Sequence, residues 1–259
     1  MKLAGSSYGT GPALVYLHGL FGSGDNLRTI GREFESDFAV WYPDLPNHGG
    51  SAHTDAFSYA EMSESIADLI DGARCGPAVV VGHSMGGKAG MRLALDHPGL
   101  VRGLVVLDMA PRAYDPSHGE IMDAMLALPL DRVRSRADAD RMLEAAIPVR
   151  PVRSFLLKNL VKDNGGYRWQ LNLALLRREY EKVLGWDGHG TYEGPALFVG
   201  GSKSKYVKPE RDGGLIRGYF PRADIRMVPG AGHWIHSERP EEVRALLRGF
   251  LAETADDRP

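Results

Sequence analysis

The chain has 259 residues, 43% of them hydrophobic and 25% charged, a balance that fits one α/β domain carrying an insertion and excludes an intrinsically disordered chain. Its formal net charge of −2 gives no electrostatic basis for a nucleic-acid or anionic-membrane partner, and no run approaches the ~18 apolar residues of a membrane span. The single cysteine, Cys75, excludes an internal disulfide and reads as a packing residue in a reduced, cytoplasmic setting, and the opening MKLAGSSYGTGP has no apolar run of signal-peptide length.

In chain order, residues 13–17 (ALVYL) read as a buried strand that runs into His18-Gly19-Leu20-Phe21-Gly22. Residues 23–26 can cap a helix reaching about Phe34. A strand over 38–42 follows, then the turn-rich PDLPNHGGS. Residues 59–73 place Met62, Ile66, Leu69 and Ile70 at helical spacing. Strands over 78–81 and 104–107 flank a helix over 87–95. From about Tyr114 to Trp186 no buried strand is evident, and helical patterns fall near 120–127, 137–146, 152–161 and 170–183. The sheet resumes at 196–199, with a helix over 209–219, a strand over 224–228, a helix over 240–251 and a polar, frayed tail over 253–259. Alternating strands and helices predict a mostly parallel sheet flanked by helices. The expected layout is a core of residues 1–112 and 187–259 with a helical cap, 113–186, over the strand ends, where such sheets bind ligands.

The centre of this pattern is AVVVGHSMGGKAG, residues 78–90. Gly82-His83-Ser84-Met85-Gly86 fits G-x-S-x-G between a strand and a helix, which makes a nucleophile elbow with Ser84 at its apex. The flanking glycines carry no Cβ where strand and helix converge, and the helix N-terminus favours negative charge that develops there. His233, in the Gly-Ala-Gly-His loop after the last strand, is the expected base, with His236 as its rival. His83 belongs to the turn and His18 braces its own loop. Asp44 and His48 tie the neighbouring loop, and Lys88 is a structural or rim charge on the elbow helix.

The acid in such an arrangement usually follows the strand before last, but no carboxylate lies between Glu193 and Glu210. Asp108, at the end of the strand after the elbow, can also reach the histidine, and a carboxylate there needs a partner. The catalytic set is therefore Ser84, Asp108 and His233. Backbone N–H groups of Met85 and Leu20, or else Phe21, would bind an oxyanion. Phe21, Phe155 and Trp234 are the expected substrate contacts, and Met85 and Trp169 are further candidate walls.

With HGLFGSGDNL (18–27), NHGGS (47–51), GHSMGGKA (82–89), LDMAP (107–111), SFLLKNL (154–160), the acid-free GGSKSKYV (200–207) and GAGHWIH (230–236), the chain resembles the α/β-hydrolase superfamily over nearly its full length, and most of all the small YbfF-type bacterial esterases. The resemblance implies an α/β-hydrolase fold with a cap after the sixth strand, a triad acid after that strand, no cofactor, and an esterase or thioesterase acting on a small-molecule acyl substrate as a monomer or homodimer. The short N-terminal region implies that the first antiparallel strands are abbreviated. DLPNHGGS is also similar to the MenH-type cofactor-free lyases. That alternative asks for an arginine cluster over the site, for which Arg153, Arg168, Arg177 and Arg178 are the candidates.

Overall fold

A computed structural model describes residues 1–74 and 76–256; the reading of Cys75 as a packing residue lies outside the described residues. The chain runs β1 (Gly5–Tyr8), β2 (Ala13–Leu17), α1 (Arg28–Gly31), β3 (Ala39–Pro43), α2 (Tyr59–Ala73), β4 (Ala78–His83), α3 (Met85–Asp96) and β5 (Val101–Leu107). An insertion then carries α4 (Gly119–Leu126), α5 (Arg136–Leu143), α6 (Arg150–Leu156), β6 (Leu160–Asp163), β7 (Gly166–Trp169), α7 (Leu173–Arg178) and α8 (Tyr180–Leu184). The chain closes with β8 (Ala196–Gly201), α9 (Pro209–Tyr219), β9 (Ala223–Val228), α10 (Ile235–Glu238) and α11 (Pro240–Asp256).

Among the described residues the main sheet has seven strands in the order β1-β3-β2-β4-β5-β8-β9. Only β1 is antiparallel to its neighbour. Successive side chains of a strand point to opposite faces, and β4 shows the consequence. Ala78 and Val80 pack with α2 and α3 on one face, whereas Val79 and Val81 pack with α11 on the other. A strand buried on both faces therefore reads as a continuous apolar run rather than an alternating one. Helix α2 starts where the Ser58 hydroxyl accepts the Glu61 N–H, and it stops at Arg74, whose φ is 52°. Its Met62, Ile66 and Ile70 line one face and are buried, each contributing roughly 1.5–3 kcal/mol of apolar transfer.

Four expectations are corrected. The edge strand β1 precedes the first apolar run, so the strand that ends before Asp108 is the fifth of this chain, and the insertion follows the fifth strand rather than the sixth. The insertion is not purely helical. The helix expected over 152–161 ends at Leu156, and β6 and β7 form a hairpin across Asn164-Gly165, both at positive φ. An Asn-Gly pair favours this two-residue turn more strongly than the surrounding apolar spacing favours helix. The helices expected over 23–34 and 170–183 are broken into shorter turns. At the other end, α11 reaches Asp256 because Phe250, Leu251 and Thr254 are buried, which holds residues that composition marks as frayed.

The insertion lies against the C-terminal ends of the parallel strands. Asn159 donates its side-chain amide to the Phe21 carbonyl at 2.8 Å, and Asn172 its backbone N–H to the Asn47 carbonyl at 2.9 Å. Lys88, fully buried on α3, donates to the carbonyls of Leu184 at 2.6 Å and Gly185 at 2.7 Å, where α8 ends. Lys88 is thus a structural group, as expected, but not a rim charge.

Candidate active site

Ser84 sits between β4 and α3 with φ 54° and ψ −118°, a conformation that costs an L-residue energy and persists only where the surroundings enforce it. They do so through close backbone contact. A Cβ on Gly82 would lie 2.2 Å from the Gly86 carbonyl oxygen, and one on Gly86 would lie 2.2 Å from that of Leu17. Both glycines of G-x-S-x-G are therefore required by packing, and the serine is lifted above the sheet.

His233 follows β9 and bridges two partners. Its Nε2 is 3.1 Å from Ser84 Oγ, and its Nδ1 is 2.8 Å from Asp108 Oδ2. The imidazole is stacked on Tyr206, with ring centroids 3.9 Å apart and planes 16° apart. Asp108 is fully buried and also has positive φ. Its Oδ1 accepts the Gly201 N–H at 3.0 Å, and its Oδ2 accepts the Ser204 hydroxyl. The structure thus brings Ser84, His233 and Asp108 into one hydrogen-bonded line. The end of β8 and the carboxylate-free loop after it supply two donors to Asp108 instead, the Gly201 N–H and the Ser204 hydroxyl. Sequence reasoning passed over Ser204 and Tyr206; the only signal was that this loop is polar where an acid was expected.

His236 is not in line with the serine. It is buried edge-on against His83, with ring centroids 4.4 Å apart, and burial lowers its pKa to about 4. His83 donates or accepts through Nε2 at the His233 carbonyl, 2.9 Å away, and since that carbonyl can only accept, Nε2 carries the proton. Burial, then the neighbouring His236 and His233, hold His83 well below the usual histidine range. His18 accepts the Leu45 N–H at Nε2 and donates from Nδ1 to the Gly19 carbonyl, fixing the first loop. Asp44 accepts the N–H groups of Gly24 and Gly50, and His48 donates from Nδ1 to the Pro46 carbonyl at 3.0 Å. The backbone N–H groups of Leu20, Phe21 and Met85 have no acceptor among the described residues. Leu20 and Phe21 both border the cavity, and the Phe21 carbonyl is held by Asn159.

A cavity of about 170 Å³ opens beside Ser84. Phe21, Phe155 and Trp234 line it, together with Ile121, Val152 and Leu156. Phe155 and Trp234 face each other at 6.5 Å between ring centroids. Two expected walls are absent from the lining. Trp169 turns away to donate its indole N–H to the Met125 carbonyl at 3.0 Å, and the Met85 side chain is packed into the core. The lining contains no arginine or lysine. Arg153 is buried against Asp140 and the carbonyls of Ile147 and Pro148; Arg168 pairs with Asp163, Arg177 with Asp123 and Arg178 with Glu179. Among the described residues no three His, Cys, Asp or Glu side chains are grouped to hold a metal ion.

Residues 14–246 match the model of the alpha/beta hydrolase family. The sn-1-specific diacylglycerol lipase ABHD11 of Mus musculus is 39% identical over 250 residues, covering 93% of this chain and 81% of that protein. Esterase YbfF of Escherichia coli is 34% identical over 239 residues, 92% of each chain. The solved structure of a marine microorganism esterase superposes with a TM-score of 0.92 at 34% identity, covering 96% of this chain and 99% of that one. The chain belongs to the alpha/beta hydrolase family, on the side of the YbfF-type esterases.

Proposed function

We propose that the chain is a serine carboxylesterase that hydrolyses short- to medium-chain acyl esters or thioesters through an acyl-enzyme. The observation that carries this reading is the line from Ser84 Oγ through His233 to Asp108 Oδ2, at 3.1 and 2.8 Å, beside an apolar cavity. His233 Nε2 takes the hydroxyl proton as Ser84 Oγ attacks the acyl carbon. Asp108 accepts the hydrogen bond from Nδ1–H, which leaves Nε2 as the lone-pair nitrogen and stabilises the imidazolium that forms. The oxyanion is met by the N–H groups of Leu20 and Met85. The imidazolium then protonates the departing alkoxide or thiolate. In the second half, water loses a proton to His233, its oxygen joins the acyl carbon, and Ser84 leaves with that proton restored.

Residues 113–186 act as the cap over a core of 1–112 and 187–259, and Phe21, Phe155 and Trp234 contact the acyl chain. The small, uncharged cavity favours a short or medium apolar chain. It does not suit the lyase alternative, which needs cationic groups where this lining has none. Relatives named esterase and lipase support the same reaction class. The test is Ser84→Ala, assayed with p-nitrophenyl esters of graded length and with a fluorophosphonate label. Hydrolysis and labelling should both disappear while the fold, read by circular dichroism, persists. Turnover of p-nitrophenyl acetate at the wild-type rate by the alanine variant would overturn the proposal.

A further inference from the structure

The turn that carries the oxyanion donors Leu20 and Phe21 is strained, and the insertion holds it. Gly22 donates its N–H to the Gly19 carbonyl at 2.9 Å, which closes a β-turn over residues 19–22. Leu20 and Phe21 are its central residues, and Phe21 has a φ of 63°. Positive φ at the third position marks a type II turn, where glycine or asparagine is the usual occupant because other side chains crowd the backbone there. With phenylalanine in that place, the turn keeps its shape only where neighbours enforce it. It lies against the nucleophile: a Cβ on Gly19 would be 3.3 Å from the Ser84 Cβ.

Two side chains brace the turn. His18, fully buried just after β2, donates from Nδ1 to the Gly19 carbonyl at 2.9 Å. The Gly19–Leu20 peptide is planar and trans, so with that carbonyl held inward the Leu20 N–H is directed away from the turn. Asn159 braces the other half. Its Nδ2 is 2.8 Å from the Phe21 carbonyl and 3.2 Å from the Leu156 carbonyl. Both carbonyls only accept, so both amide N–H groups of Asn159 are committed. The Phe21–Gly22 peptide is thereby held on both sides, its carbonyl by Asn159 and its N–H by the Gly19 carbonyl. Asn159 is itself fixed, being buried and accepting the Gln170 N–H at its own carbonyl, 2.8 Å away, beside the β6–β7 hairpin. His18 belongs to the core, whereas Asn159 belongs to the insertion, 138 residues from Phe21.

We infer that Asn159 is a positioning residue for the oxyanion donors: it holds Phe21 in the left-handed conformation and so makes their alignment depend on the seating of the insertion. This rests on the hydrolase reading above. Asn159 touches no reacting atom. Without its amide the Phe21–Gly22 peptide is free to rotate, Phe21 relaxes toward negative φ, and the N–H groups of the turn leave the place where the oxyanion forms. That interaction is made in the transition state, so its loss falls on kcat more than on KM.

The test uses p-nitrophenyl butyrate and two changes at Asn159. Asn159→Leu keeps a similar volume without a donor, and Asn159→Ser is a smaller change whose hydroxyl is too short to reach the Phe21 carbonyl. Each is made in the wild type and in Phe21→Gly, where glycine adopts positive φ without strain. In the wild-type background each change should lower kcat by about 10- to 100-fold with KM within about three-fold, short of the roughly 10²–10³ lost when an oxyanion donor is deleted outright. In the Phe21→Gly background the same change should cost about three-fold or less, because the turn no longer needs the brace. Inhibition by a trifluoromethyl ketone, whose adduct with Ser84 carries the oxyanion, should weaken in parallel with kcat/KM, while inhibition by butyrate stays level. Circular dichroism and thermal unfolding identify the folded variants. Folded Asn159 variants whose kcat stays within about three-fold of wild type, or falls equally in both backgrounds, overturn the inference while the esterase stands. Failure of both changes to fold in either background assigns Asn159 to the fold and overturns it too. A wild type that leaves p-nitrophenyl butyrate intact overturns the hydrolase reading and the inference with it.

Discussion

Ser204 donates its hydroxyl hydrogen bond to Asp108 Oδ2, the same carboxylate oxygen that accepts the hydrogen bond from His233 Nδ1–H. One oxygen thus collects two donors, and the other is held by the Gly201 N–H. The carboxylate is fully buried, so each donor offsets part of a large desolvation cost. The orientation of Asp108 toward His233 is set by two uncharged donors, at the end of β8 and in the loop that follows it.

That arrangement predicts a graded set of losses. Asp108→Asn offers the imidazole the wrong partner, and kcat should fall by roughly 10²–10⁴, by analogy with the equivalent change in serine proteases. Ser204→Ala leaves the Gly201 and His233 contacts in place, and kcat should fall by at most about 10- to 150-fold, the range for one hydrogen bond to a charged group. Glu210, exposed at the start of α9, should tolerate Gln with nearly full activity. Steady-state kinetics on all three variants test the assignment. A healthy Asp108→Asn enzyme beside a crippled Glu210→Gln enzyme would place the acid elsewhere.

The cavity wall should set acyl length. Of the segment 155–160, Phe155 and Leu156 line the cavity, while Leu157 and Leu160 are packed into the core. Leu156→Trp should shift preference toward acetate over hexanoate by about ten-fold or more, since one or two methylenes are worth ~1–3 kcal/mol in such a pocket. Phe155→Ala should move the preference the opposite way. A chain-length series of p-nitrophenyl esters gives the answer; superimposable profiles for wild type and both variants would show that the acyl chain lies elsewhere.

Acid should destabilise the fold in a defined window. Burial is the leading cause that lowers the pKa of His18, His118 and His236 to about 4 and of His48 to about 3, and it holds His83 well below its usual range. Each ring is neutral in the folded chain and takes up a proton in the unfolded chain once pH falls below ~6.5. Between those two values the unfolded state binds more protons, so stability falls as pH falls from about 6.5 toward 4, and these groups contribute no such loss above 6.5. Urea midpoints should be level near neutrality and then drop with a slope greater than one proton per molecule. A level midpoint down to pH 5 would contradict the burial of these imidazoles.

Lys88 should clamp the insertion to the core. Lys88→Met keeps an unbranched chain but strips the donor from the Leu184 and Gly185 carbonyls at the end of α8. Stability should fall by roughly 1–3 kcal/mol, the penalty for unpaired buried polar groups, and limited proteolysis within 113–186 should quicken. Thermal unfolding and a proteolysis time course together separate a clamp from a passive filler, which would change neither.

The sequence by itself determined the parallel strands of the main sheet, helix α2 and the elbow. Continuous apolar runs mark strands buried on both faces; the start of α2 follows from its Ser58 cap and that of α9 from Pro209 at its first position. The G-x-S-x-G glycines are legible because the contacts that demand them lie a few residues away, within one strand–turn–helix unit. The hairpin at Asn164-Gly165 is equally local: its turn pair lies in the gap between the helical patterns expected over 152–161 and 170–183. Tertiary structure alone decided the rest. Ser204 reaches Asp108 across 96 residues, His83 reaches the His233 carbonyl across 150, and Asn159 holds the Phe21 carbonyl across 138. The four arginines that a lyase would have needed at the site are taken up by carboxylates outside the cavity. Such pairings depend on where loops end after the sheet has closed, and no local periodicity encodes that path; side-chain hydrogen bonds are short-ranged and directional, so they exist only once distant segments have been brought within about 3 Å.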